Sequence, residues 1–271
     1  MLHAQGVAVF INRSAAAGLL ALALLPLTGP LPAHAQSQVQ AAPPACTAPA
    51  EFAKFERPFA HLAGRIARRS PVIVVAVGSS STAGTGASSP AASYPSRLEA
   101  LLKAQFVGVP IKVFNRGVGG EEIRDMLARF ERGVIAEKPD LVLWQIGTNS
   151  VLHDHPIVGN AALLTEGLNR LKAIGTDLVL INPQYAPKVL AHPAVDNMIR
   201  LISITARQSG VELFDRFAVM KYWREGAQLP LTAFLNPDQL HMNDWGYNCI
   251  AELLSVAVVD AVARAPTLAR K

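Results

Sequence analysis

From residue 51 onward the chain alternates between two kinds of apolar pattern. Short unbroken runs at 72–77 (VIVVAV), 111–114 (IKVF), 141–146 (LVLWQI), 178–181 (LVLI) and 211–214 (VELF) read as strands covered on both faces. Between them, 94–107, 121–136, 161–174, 195–208 and 245–263 carry helical spacing. In the first of these, Leu98, Leu101, Leu102 and Phe106 recur at i, i+3, i+4 and i+8, which makes one apolar face.

Strands alternating with helices, where the strands themselves are apolar throughout, predict an α/β fold. The expectation is a three-layer, doubly wound, mostly parallel five-stranded sheet of flavodoxin-like order. Five such units fit one domain over residues 51–271, with no internal repeat. In such sheets ligands bind outside the carboxyl ends of the strands, so the residues that follow each strand are the ones to inspect.

The pattern before residue 51 is different. Arg13 precedes an apolar run at 15–27 (AAAGLLALALLPL), then Pro30, Pro32 and the small-x-small site Ala33-His34-Ala35. These are the parts of a secretory signal peptide, expected over residues 1–35 with cleavage after Ala35. The run falls short of the roughly 18 to 20 apolar residues of a spanning helix and contains Pro26, so no stable membrane span is expected after cleavage. An uncleaved anchor is the competing reading. Residues 36–50 (QSQVQAAPPACTAPA) lack periodicity and read as a flexible lead-in. Export to the periplasm or medium follows from the signal, and oligomeric state is left open.

Charge changes the picture little. The 25 Lys+Arg against 20 Asp+Glu give +5, and loss of residues 1–35 removes one Arg and no acid, so 24 − 20 = +4. The basic residues are scattered and lack aromatic interleaving, so no nucleic-acid partner is expected. Cys46 and Cys249 either pair, tying the lead-in to the last helix, or stand as two free thiols.

The candidate chemistry lies at the strand ends. The first strand runs into Gly78-Ser79-Ser80-Ser81-Thr82-Ala83-Gly84. Five residues separate the two glycines and no Lys follows, so this is not a phosphate-binding Walker loop; nor is it a dinucleotide fingerprint. What remains is a turn or a nucleophilic serine. The second strand leads to Asn115-Arg116-Gly117-Val118-Gly119-Gly120, where backbone N–H groups can face a crevice without a Cβ in the way. The third leads to Gly147-Thr148-Asn149, and before the last helix stands Asp238-Gln239-Leu240-His241. Three residues apart in a turn, Asp238 can receive the imidazole Nδ1–H and leave Nε2 free as a base.

Taken in order, Gly78-x-Ser80, Asn115 to Gly120, Gly147-x-Asn149 and Asp238-x-x-His241 resemble the four blocks of the SGNH, or GDSL-type, serine hydrolase superfamily, over residues 72 to about 250. The resemblance implies Ser80 as nucleophile, Asp238 and His241 as its acid–base pair, and an oxyanion hole from the Ser80 N–H, the Gly120 N–H and Asn149. One departure stands out: Ser79 occupies the place where that family commonly has Asp. With three adjacent serines the register matters, and counting from Gly78 with Thr82 in the family's frequent Thr position favours Ser80.

The function implied is an exported serine esterase that cleaves a short acyl ester, acetyl included, on a small molecule or a polysaccharide, without a cofactor. An O-acyltransferase using the same triad, or a carbohydrate-binding protein without turnover, are the alternatives. Gln184 and Tyr185 follow the fourth strand and are candidates for substrate contact. Trp144 is expected in the core. His153 and His155 form an H-x-H pair around Asp154, but no further ligand at convincing spacing accompanies them, so no metal is assigned.

Overall fold

The computed structural model describes residues 44–154 and 157–266. The strands are β1 (Val72–Gly78), β2 (Ile111–Gly117), β3 (Leu141–Gln145), β4 (Asp177–Ile181) and β5 (Glu212–Phe214). All pair in parallel, in the order β2-β1-β3-β4-β5. This is the flavodoxin-like order expected, and every strand overlaps its predicted run. The helices are α1 (Ala60–Ala67), α2 (Ser80–Ala83), α3 (Tyr94–Gln105), α4 (Ile123–Ala128), α5 (Phe130–Gly133), α6 (Thr148–Leu152), α7 (Ile157–Ala173), α8 (Pro187–Leu190), α9 (Val195–Ser209), α10 (Arg216–Lys221) and α11 (Asp244–Ala263). Helix α11 packs against α3 and α1, whereas α7 packs against α4 and α9, giving the two outer layers.

Burial follows position in the sheet. Strands β1 and β3 lie inside it, and Val74, Val75, Val77, Leu141, Val142 and Leu143 are inaccessible. β2 departs from the expectation of two covered faces: Lys112 is exposed between buried Ile111 and Val113, and Asn115 further along is exposed too. The reason is its place at an edge, where only one face is fully covered. The helical pattern over 121–136 also breaks, at Arg129 (φ −115°, ψ 5°). Its guanidinium is drawn aside to the Glu121 carboxylate and the Arg116 carbonyl.

Helix α11 is long and apolar enough to cross a membrane, the one such helix among the described residues. Its apolarity serves the core instead, where Cys249, Ile250, Leu254 and Val258 are buried. The signal segment lies outside the described residues, as does the lead-in up to residue 43. The rest of the lead-in is tied down: Cys46 forms a disulfide with Cys249, Cα–Cα 5.1 Å, and Trp245 Nε1 donates to the Pro44 carbonyl at 2.7 Å. The pairing that the sequence left open is therefore made.

Candidate active site

The carboxyl end of β1 fixes one wall. Gly78 has no room for a side chain, since a Cβ there would stand 2.3 Å from Thr82 Oγ1 and 2.7 Å from Gln145 Oε1. The chain then turns into the single-turn helix α2, closed by Gly84 in the left-handed region (φ 98°). Gln145, at the end of β3, decides which serine faces out. Its Oε1 accepts from the Ser79 N–H (2.9 Å), the Ser79 hydroxyl (3.0 Å) and the Thr82 hydroxyl (3.2 Å). Ser79 and Ser81 are both 1% exposed, so their hydroxyls point inward. Ser80 is only half-buried, and its Oγ lies 2.8 Å from His241 Nε2.

The loop after β2 presses against this turn. Val118 N–H donates to the Gly78 carbonyl at 3.0 Å, and a Cβ on Gly119 would come 3.9 Å from Ser80 Cβ. Gly120 adopts φ +80° in open space, and its N–H meets no acceptor among the described residues. On α6, Asn149 is nearly buried, and its Nδ2 donates one hydrogen to the Glu121 carbonyl at 2.8 Å. An amide nitrogen carries two hydrogens, so the second is left over next to the Gly120–Glu121 peptide.

The fourth element is the turn before α11. Asn236 N–H donates to the His241 carbonyl (2.9 Å), and Gln239 sits in the left-handed region (φ 59°). The Asn236 side chain ties the turn to the carbonyls of Gly86 and Met242, 2.8 Å each. Within it, Asp238 Oδ1 accepts the backbone N–H groups of Leu240 and His241, 3.0 Å each, and Oδ2 stands 2.5 Å from His241 Nδ1. Burial pushes the Asp238 carboxyl up, but the hydrogen bonds from the His241 ring, His241 N–H and Leu240 N–H outweigh it and hold it below the usual carboxylate range. Asp238 is therefore an ionised acceptor at neutral pH. The proton on the imidazole must then sit on Nδ1, and the Nε2 lone pair faces the Ser80 hydroxyl.

Ser80, His241 and Asp238 thus form one continuous hydrogen-bonded relay, built from segments 161 residues apart. Such a relay can draw a proton from a hydroxyl as it attacks a carbonyl.

The substrate-contact expectation needs correction for Gln184, whose side chain is buried, whereas Tyr185 is partly exposed. Gln184 is 1% exposed and both of its polar atoms are engaged: Oε1 accepts from Thr148 Oγ1 and Arg216 Nη2, both 2.9 Å, and Nε2 donates one hydrogen to the Leu240 carbonyl at 3.2 Å. Tyr185 packs edge-on against Phe217 and donates its hydroxyl to Glu225 at 2.8 Å, a contact within the loop layer. Gln184 turns to the protein because neighbouring elements offer partners that strand order alone does not reveal. Trp144 is buried as expected, with its Nε1 3.2 Å from Met126 Sδ.

His153 Nδ1 lies 2.9 Å from Glu122 and His192 Nδ1 3.0 Å from Asp154, while His155 lies outside the described residues. Among the described residues no group of three or more His, Cys, Asp or Glu is placed to hold a metal ion.

Gln145 was given no role from sequence, although an amide in an otherwise apolar buried strand needs a partner and so carried a signal. Arg216 offered none beyond its place after β5.

Two recesses flank the His241 turn. One, of about 270 Å³, is lined by Pro187, Leu231, Leu235 and Pro237 among others; the second, of about 450 Å³, by Gly86, Ser88, Asn236 and Trp245 among others. A cavity of about 460 Å³ between residues 51–57 and the start of β5 lies at the opposite end of the strands from Ser80, so it has no part in this chemistry.

Known proteins resemble this one in sequence and in shape. A curated acetylxylan esterase from Geobacillus stearothermophilus is 39% identical over 64 residues, a stretch that is 24% of this chain and spans only 29% of the length of that relative. Among solved structures, the acetylxylan esterase Axe2 from the same organism superposes with a TM-score of 0.58 at 21% identity, covering 72% of this chain and 97% of its own. A two-domain esterase (CEX) active on acetylated mannans gives a TM-score of 0.64 at 17% identity, covering 82% of this chain and 58% of its own. At such identities the likeness is one of fold. The match to a family model runs from residue 45 to residue 264, through every strand and every residue of the relay, and by it the chain belongs to the Non-GDSL lipase-like family.

Proposed function

We propose that this protein is an exported serine ester hydrolase that removes short acyl groups, acetyl first among them, from a carbohydrate. The observation that carries the reading is the relay in which Ser80 Oγ meets His241 Nε2 at 2.8 Å while Asp238 holds Nδ1 at 2.5 Å. The order of the four loops around it is that of the SGNH hydrolases.

The chemistry follows from these positions. His241 takes the Ser80 proton as Oγ attacks the acyl carbon, and Asp238 stabilises the imidazolium that forms. Charge on the carbonyl oxygen is met by the N–H groups of Ser80 and Gly120 and by the spare hydrogen of Asn149 Nδ2. His241 then hands its proton to the leaving alcohol, an acyl group remains on Ser80, and water drawn in by the same imidazole releases it.

Acetyl as the acyl group is supported by the names of the similar proteins, an acetylxylan esterase and an esterase active on acetylated mannans. A carbohydrate alcohol is supported by the names of the relatives, which act on acetylated xylan and mannan. Export is supported by the N-terminal sequence and agrees with the Cys46–Cys249 disulfide, which an oxidising compartment preserves.

The test is labelling by a fluorophosphonate probe together with acetate release from acetylated xylan and a chain-length series of p-nitrophenyl esters. The wild type should label, lose labelling in Ser80→Ala, and prefer acetate over longer acyl groups. Folded protein that neither labels nor releases acetate would sink the proposal.

A further inference from the structure

Beneath the site lies a buried cation that the relay does not use. Arg216, at the start of α10, is 1% exposed. Its Nε donates to the Asn182 carbonyl at 3.0 Å and its Nη2 to Gln184 Oε1 at 2.9 Å, and no carboxylate among the described residues stands within ion-pair distance. Burial pulls the guanidinium down to about 10, which still leaves it charged at neutral pH. The phenols of Tyr94 and Tyr247 interact with it, but burial raises Tyr94 to about 12 and moves Tyr247 upward too, so neither supplies a countercharge. An unpaired buried charge is costly, on the order of several kcal/mol before its hydrogen bonds are counted. Its retention under a reactive site points to a use.

That use lies in the amide it faces. A guanidinium only donates, so Gln184 must turn its oxygen towards Arg216. The Thr148 hydroxyl donates to the same oxygen at 2.9 Å. With the oxygen fixed, Gln184 Nε2 is left facing the Leu240 carbonyl at 3.2 Å. Thr148 precedes Asn149, and Leu240 precedes His241. One buried amide therefore joins the helix bearing the oxyanion donor to the turn bearing the base.

We propose that Arg216 and Gln184 form a positioning unit in which Arg216 sets the orientation of the Gln184 amide, and Gln184 holds Asn149 and His241 in register around Ser80. The proposal rests on the reading of Ser80 and His241 as nucleophile and base.

Gln184→Glu tests it most directly. The glutamate matches the side chain in size, accepts from both Arg216 and Thr148, and gives Arg216 a counterion, but it cannot donate to Leu240. Turnover per fluorophosphonate-titrated site should fall about 10- to 100-fold with KM nearly unchanged, because loss of alignment acts on the reacting geometry. Arg216→Met should fall similarly, and Arg216→Lys should recover at least about fivefold by restoring a donor opposite the amide oxygen.

Folded Gln184→Glu with turnover per site within twofold of wild type overturns the proposal. So does Arg216→Lys that is no better than Arg216→Met. If Arg216→Met does not fold, Gln184→Glu decides alone. Failure of the underlying reading would look different: the wild type would hydrolyse ester without labelling at Ser80.

Discussion

Asp238→Asn separates the role of the Asp238 charge from its role as a structural acceptor. In the wild type Oδ1 accepts two backbone N–H groups at 3.0 Å, and Oδ2 faces the imidazole Nδ1 at 2.5 Å. An asparagine of the same shape can keep its oxygen on the two N–H groups, so the turn should hold. Its amide nitrogen then faces Nδ1 and donates to it. The imidazole proton is driven to Nε2, where it points at Ser80 and the base is lost. The same change in a buried relay lowers turnover about 10⁴-fold, roughly 5.4 kcal/mol. Here the Asp238 side chain is 41% exposed, and water screens part of the charge that stabilises the imidazolium. The expected fall is therefore smaller, about 10²- to 10³-fold, or roughly 3 to 4 kcal/mol. The assay is kcat on p-nitrophenyl acetate, normalised by active-site titration, with Tm measured on the same samples. Tm should change by no more than a few degrees. A turnover within threefold of wild type would refute the tautomer argument, and a collapse in Tm would refute the claim that the oxygen keeps its two N–H partners.

Other perturbations test the frame around the relay. Gly117→Ala would place a Cβ 2.1 Å from the Ala83 backbone nitrogen, so α2 must shift; a loss of about 1 to 3 kcal/mol in urea unfolding together with reduced turnover is expected, and unchanged values of both would contradict the packing. Removing the Cys46–Cys249 bridge by Cys46→Ala with Cys249→Ala opens a loop of separation 203, for which the chain-entropy model gives an upper value of about 5 kcal/mol; equal denaturation midpoints would count against it. Burial raises the Asp177 carboxyl despite the hydrogen bonds it receives from the backbone of Leu62 and His61. Its folded value lies above its unfolded one, so the charge destabilises the fold at neutral pH and the penalty fades as pH falls through the folded value towards the unfolded one. Asp177→Asn should thus raise Tm at pH 7 and leave it unchanged near pH 3; a gain that persists in acid would show that desolvation is not the cause.

The strands and helices were legible because burial imposes its period on the sequence wherever an element is covered. Val72 to Val77 could be read as an inner strand, since a run without polar residues has no face to offer water. The same reading failed at β2, where an edge leaves one face to solvent and Lys112 marks it. It failed again over 121–136, where the pull of Glu121 on Arg129 ends the helix early. At the site, residue types and spacing marked Ser80, Gly120, Asn149, Asp238 and His241 as candidates. Gln184 was misjudged because its partners, Thr148, Arg216 and Leu240, come from three segments distant in sequence.

The sequence by itself determined the class of fold, the order of its elements and the set of residues able to carry the chemistry, since each is written in a local pattern or a short spacing. Only the tertiary structure decided which of three adjacent serines reaches the base, because Gln145 arrives from β3 to draw Ser79 and Thr82 inward and leaves Ser80 to His241. It also decided that Cys46 and Cys249 meet, and that Gln184 is buried between Thr148, Arg216 and Leu240. Local pattern records how much of each residue is covered; which partner covers it depends on how distant segments close on one another.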